Sequence, residues 1–224
     1  MAIARKTTQD ASATGTSTVT ATYPAATTAG NLLIMIVTTN NTGASVPAGW
    51  SIALGDPGLS ATVVALYYKV AAGSETTVTS TDTGGNMGLF IAEYNGFTGT
   101  PTLDVSANNG SGASVLTIST GTTVTTTTAN GLAIAAAYIN SATTFSSWSN
   151  AFVNLTKVNI TYSAEKILSA TGTQTSLLTT TGTAGTAGAL IATFKDVITG
   201  RIAKTNINGG VNTRPHAFSP GLAR

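Results

Sequence analysis

A short apolar run recurs in this chain one hundred residues later, and this repeat constrains the fold more than any other feature. The run from Leu32 to Val37 follows Ala-Gly-Asn and is bracketed by turn residues. It is too short for a stable helix, and its unbroken apolar character predicts a strand covered on both faces. Ala-Asn-Gly-Leu, ending at Leu132, repeats the entry to that run, and 188–194 repeats 88–94 at the same offset. We therefore predict two related halves.

The composition favours an all-β protein. Only 8% of the 224 residues are charged, against about 25% in an average globular protein, so Thr, Ser, Asn and Gly must form most of the surface. Thr is β-branched and fits a pleated sheet while its hydroxyl group faces water. A chain of this length buries about 70% of its unfolded surface and needs no covalent cross-links. It contains no Cys, which excludes disulfides and thiolate metal sites.

Alternation and turn residues divide each half into strands. In the first half we predict strands at 3–22, 32–39, 51–54, 61–70, 76–81 and 87–94. In the second half we predict strands at 115–119, 122–128, 132–139, 158–168, 175–181 and 189–194. Residues 82–86 are predicted to form a loop, and 96–114 is a linker-like passage that contains a short strand around 102–105.

Two arrangements of the halves, about 10–97 and 110–197, fit these strands. They form two small sandwiches in tandem, or both contribute strands to both sheets of one jelly-roll-like, antiparallel β-sandwich. The short linker favours one sandwich domain spanning 1–199. Trp50 and Trp148 are the predicted core anchors, each closing one end of the sandwich. Lys69 and Glu93 are a candidate cross-strand ion pair, with solvent-exposed strand ends as the alternative.

The last 24 residues differ from the rest, because they carry four basic residues and no acid. Isolated apolar residues among Gly, Pro and polar residues cannot form a core, so 200–224 is predicted to be an extended arm that docks on another surface. The predicted assembly residues are Arg201, Ile202, Lys204, Ile207, Val211, Arg214, Phe218, Leu222 and Arg224. Arg5 and Lys6 make Ala2–Thr8 a second candidate contact segment.

The sequence offers little for catalysis. His216 is the only His and lies in the arm, so a Ser/His/acid or Cys/His site on the body is excluded. The eight acids are scattered, and Asp82–Asn86 resembles a Ca²⁺ loop only faintly because it supplies one carboxylate. No Gly-rich phosphate loop, basic-aromatic cluster or long apolar run is present. We predict a protein that is not an enzyme, without cofactor or metal, and without nucleic-acid or membrane partners.

Several motifs together resemble a β-sandwich module of bacteriophage virion structural proteins and bacterial surface proteins. They are Ala29-Gly-Asn-Leu-Leu, Pro47-Ala-Gly-Trp, the segment from Ala65 to Glu75, Phe90-Ile-Ala-Glu-Tyr-Asn-Gly and Pro101-Thr-Leu-Asp-Val. The resemblance spans about 10–197. In the second half, Ser147-Trp-Ser replaces Pro-Ala-Gly-Trp, and the arm lies outside the resemblance.

The resemblance implies a virion protein: a capsid decoration, head or tail-surface component, present in several copies. Its partners would be copies of itself and other virion proteins. It would assemble in the bacterial cytoplasm and be exposed on the particle, and the start of the chain lacks the apolar segment of a secretory signal. The alternative is a glycan- or receptor-binding module of a phage fibre or bacterial surface protein, in which Asn40, Asn41, Asn108 and Asn109 bind a host-surface glycan.

Overall fold

The computed structural model describes residues 2–41, 44–55, 63–141 and 143–197. Within these ranges the chain forms antiparallel strands and no helix, and so none that could cross a membrane. The strands are β1 (Ala4–Thr22), β2 (Leu32–Thr39), β3 (Ser51–Leu54), β4 (Val63–Val70), β5 (Thr77–Asn95), β6 (Thr100–Val115), β7 (Thr117–Ser119), β8 (Gly131–Ile139), β9 (Thr143–Trp148), β10 (Val153–Val158), β11 (Thr161–Leu168), β12 (Leu177–Gly182) and β13 (Gly185–Val197). The predicted all-β, antiparallel sandwich class is confirmed. The predicted arm lies outside the described residues.

Each half of the sequence builds one five-stranded sheet. The first sheet has the order β1-β5-β2-β4-β3, and the second has the order β6-β13-β8-β11-β10. The arrangement in which both halves supply strands to both sheets is therefore wrong. In each sheet only one neighbouring pair, β3–β4 or β10–β11, is consecutive in sequence, so the other neighbours are joined by crossovers within the same half.

The two sheets pack face to face through equivalent residues. Leu32, Ile34 and Ile36 point into this interface from β2, and the residues one hundred positions later on β8 point into it from the other side. β1 lies against β10, while β6 lies against β3. The halves are thus related like the subunits of a two-fold symmetric dimer.

A second layer covers the outer face of each sheet. On the second sheet it is a separate three-stranded sheet of β7, β12 and β9. On the first sheet the far ends of β1 and β5 form it, and Val19, Ala21 and Val78 pack on the outward side of β2. β1 can bend over in this way because its pairing with β5 shifts register between Thr16 and Thr18, around a bulge in which Ser17 has a φ of 62°.

Three predicted local structures are wrong. Residues 82–86 belong to the long strand β5, and 82–85 lie between the partners of Thr16 and Thr18 at the register shift with β1. The linker is only 96–99, because β6 begins at Thr100 and pairs along β13. The Thr-rich segment 122–128 is not a strand. It is held instead by backbone bonds at every third residue, donated by Thr120, Thr123 and Thr126 to 172–176.

Candidate functional site

The acidic side chains fix loops and strand ends. Seven of the eight acids lie in the described residues. The Asp196 carboxylate accepts hydrogen bonds from the backbone N–H and hydroxyl of Thr98, at 2.9 and 3.0 Å, and from Gly99 N at 3.0 Å, and so holds the linker between the halves. Asp82 accepts from the Thr39 hydroxyl. Each carboxylate therefore has partners within the body that account for its position.

Glu75 and Asp104 have the same role in the two halves. The Thr27 hydroxyl donates to Glu75 at 2.5 Å, and Lys69 Nζ lies 2.8 Å from its Oε1. Burial raises the pKa of Glu75, but the hydrogen bonds from Lys69, Thr27 and the backbone outweigh it and leave the pKa well below its ordinary value. Asp104 pairs with Lys195 at 2.8 Å and also accepts from Thr127, and these bonds lower its pKa against the effect of burial.

The predicted Lys69–Glu93 pair is wrong. Both residues lie opposite Leu33, one on each neighbouring strand of β2, so a whole strand separates them. Lys69 pairs with Glu75 instead. Glu93 is fully buried, with Lys6 Nζ 3.2 Å from its Oε2 and the backbone N–H of Thr28 donating to its Oε1 at 2.9 Å.

A second ionic cluster joins the two sheets. Arg5 on β1 lies 2.5 Å from the Asp10 carboxylate and 3.3 Å from that of Glu165 on β11, which belongs to the other sheet. The neighbouring Tyr94 is fully buried, and burial together with the Glu165 charge raises its pKa well above the ordinary value. Arg5 and Lys6 therefore bind acids of their own body. The candidate contact segment Ala2–Thr8 is part of the edge strand β1 from Ala4 onward, and its contact with a neighbour stays a prediction.

Both ends of the described chain meet at an opening in one end of the body. The opening has a volume of about 470 Å³ and is lined by Ala2, Ile3, Gly96, Thr98, Thr128, Ala129, Asn130, Gly131, Ile167, Leu168, Ser169 and Asp196. Ile3 and Leu168 are buried at its floor, whereas Ile167 is 45% exposed. An apolar surface of this shape, rimmed by hydroxyl and amide groups, is suited to holding an apolar side chain of a binding partner.

The backbone pairing beside the opening is equivalent in the two halves. Leu132 pairs with Ile167 as Leu32 pairs with Val70, so the Gly131–Leu168 pair corresponds to Asn31 and Ala71. In the first half Ala71 N donates to Asn31 O at 2.8 Å. The sequence reasoning did not find the opening.

The two tryptophans lie under the outer layers. Trp148 is 8% exposed and packs on the outward face of the second sheet with Phe152 and Tyr162. Trp50 is only partly buried, against the outward face of the first sheet, after a turn in which Gly49 has a φ of 81°. Neither side chain lies in the interface between the two five-stranded sheets.

The remaining predicted site residues are separated or lie outside the described residues. Asn40 and Asn41 follow β2 and hydrogen-bond to Asn86 and Thr83 of β5. Asn108 and Asn109 are within strand β6 of the second sheet rather than in a loop. All the assembly-arm residues, from Arg201 to Arg224, and His216 lie outside the described residues. Within the described ranges no three His, Asp or Glu side chains are placed to hold a metal ion.

The structure defines an internally repeated, antiparallel β-sandwich with an opening at one end. Comparison of the chain with protein-family models, with curated proteins and with solved structures finds no match.

Proposed function

We propose that this protein is a structural component of a bacteriophage virion, a capsid decoration, head or tail-surface protein, that assembles in several copies through its C-terminal arm. The observation that carries the proposal is the position of the chain's exit. Strand β13 ends at Val197, beside an apolar opening, and the segment that follows carries four basic and several isolated apolar residues.

The use of charge in the body supports this assignment. The described residues contain six basic and seven acidic side chains. Arg5, Lys6, Lys69 and Lys195 all form ion pairs within the body. The four basic residues after Gly200 are matched by no acid in their own segment. A cationic segment on a weakly acidic body favours attachment to another subunit.

The surface chemistry also suits permanent contacts. The cores of protein interfaces are depleted of charged residues, because burying an unpaired charge is unfavourable. With 8% charged residues, this chain presents mainly Thr, Ser and small side chains, which lose little solvation when a neighbouring subunit covers them.

Deletion of residues 201–224 tests the role of the arm. We expect the shortened protein to keep the far-ultraviolet circular dichroism and melting temperature of the full chain, because the apolar residues of 201–224 are isolated among Gly, Pro and polar residues and form no core. We expect it to lose assembly, measured as mass by light scattering over a range of concentrations. A shortened protein that assembles as the full chain does would refute the role of the arm. Immunogold electron microscopy of intact phage particles tests the virion location separately.

A further inference from the structure

We propose that the opening at the end of the second half binds the distal part of the C-terminal arm, around Phe218 and Leu222, of a second copy of this chain. The inference rests on the proposed function, since it names the site that the arm occupies. The assembly would be head-to-tail, because each copy supplies one arm and one opening. Such contacts close into rings or continue as a lattice, according to the rotation between neighbours.

The opening has the chemistry of a pocket for an anchoring side chain. Its floor is apolar, with Ile3 and Leu168 buried and Ile167 45% exposed at the side. Its rim carries the hydroxyl of Thr128, which donates to Asn130 O, and the exposed residues 129–130. An aromatic or aliphatic side chain would cover the apolar floor, and its backbone would find hydrogen-bonding groups at the rim.

The length of the arm favours a neighbouring copy over the subunit's own opening. The arm leaves at Val197, next to the opening, so only its first few residues would be needed to fill it from within. Its apolar residues instead continue to Leu222. An extended chain from Val197 to Leu222 reaches about 80 Å at about 3.3 Å per residue. A folded domain of this size has a radius of gyration of only about 16 Å.

Cysteine cross-linking tests the contact directly, because the chain contains no Cys. Ser169 is exposed on the lining of the opening, and Ala217 precedes Phe218 in the arm. We expect a mixture of S169C and A217C proteins to form an interchain disulfide between positions 169 and 217 under mild oxidation, identified by peptide mass spectrometry. The matched control is S74C, in an exposed turn of the first half, which should give at least about tenfold less cross-linked product with A217C.

Two results of this experiment would overturn the inference. One is equal cross-linking of S169C and S74C to A217C. The other is an intrachain 169–217 disulfide as the main product of the double variant S169C/A217C, at a dilution where the chain is otherwise monomeric. The second result would mean that the arm folds back on its own subunit.

A charge placed in the opening provides an independent measurement. Ile167→Lys changes a side chain that is already 45% exposed, so the body should still fold. We expect it to weaken assembly about tenfold or more, equal to about 1.4 kcal/mol. Val124→Lys, at a 70% exposed position outside the opening, should leave assembly unchanged. If deletion of 201–224 abolishes assembly but Ile167→Lys does not, the arm binds elsewhere and only this inference fails. If the deletion has no effect, the proposed function fails as well.

Discussion

The two halves share one strand order, yet they fill their outer layers in opposite ways. In the first half the outward face of β2 carries the large side chains of Leu33, Met35 and Val37. In the second half the equivalent positions on β8 are all Ala, at 133, 135 and 137. The space left by these Ala residues is taken by Trp148, Phe152 and Tyr162, which come from other strands and loops.

This contrast teaches that the two faces of the same sheet are under different constraints. The faces that meet between the sheets carry similar residues in both halves, because they form one shared interface. The outer faces meet only their own outer layer, so each half can place its large side chains on different strands and loops.

The tryptophans give the strongest test of this comparison. Trp148→Ala should destabilise the protein by about 3–5 kcal/mol, because it empties a buried site between Ala-rich β8 and its cover. Trp50→Ala should cost only about 1–2 kcal/mol, because that ring is partly exposed and the outer face of the first half is filled by the sheet itself. Urea denaturation measures both values. Equal losses for the two variants would show that the halves do not divide their packing as described.

Substitutions of Ala135 and of its equivalent in the first half, Met35, are the next test. Ala135→Leu should destabilise by about 1–3 kcal/mol, since the added side chain competes with the aromatic residues of the cover. Met35→Leu keeps the volume at the matched position and should cost less than about 1.5 kcal/mol. Thermal melting of both variants provides the measurement. A neutral or stabilising Ala135→Leu would mean that the second half has unfilled space under its outer sheet.

The smallest expected effect concerns the two loop-tying acids and depends on pH. Glu75 has a pKa lowered from 4.5 in the folded protein, so its contribution is present above pH 4.5 and is lost as the pH falls through the lowered value. Glu75→Gln should therefore cost about 1 kcal/mol at neutral pH, with the difference from the wild type vanishing in acid. Asp104→Asn should behave alike, starting from 3.8.

Urea titrations at a series of pH values measure these two effects. The free energy of unfolding of each variant is compared with that of the wild type at the same pH. A difference that stays constant down to strongly acid conditions would contradict the assigned role of the carboxylates.

The sequence by itself determined the strand content and the internal repeat, because both follow from local patterns of apolar and turn residues. The unbroken apolar run at 32–37, bracketed by turn residues, predicts a central strand without knowledge of its partners. The similar run that begins at Leu132 predicts a second central strand. The strands at 51–54 and 32–39 were predicted with their observed bounds for the same reason.

Only the tertiary structure decided how the strands were shared and where a partner could bind. Glu93 and Lys69 each suit a strand position, but the order of strands placed β2 between them. The Gly-rich segment 82–86 lies within strand β5, at the register shift between β5 and β1. The opening is lined by residues near both ends of the described chain and by 128–131 and 167–169, which are far apart in sequence. The strand order and the opening depend on pairing between residues far apart in sequence, which a local sequence pattern does not predict.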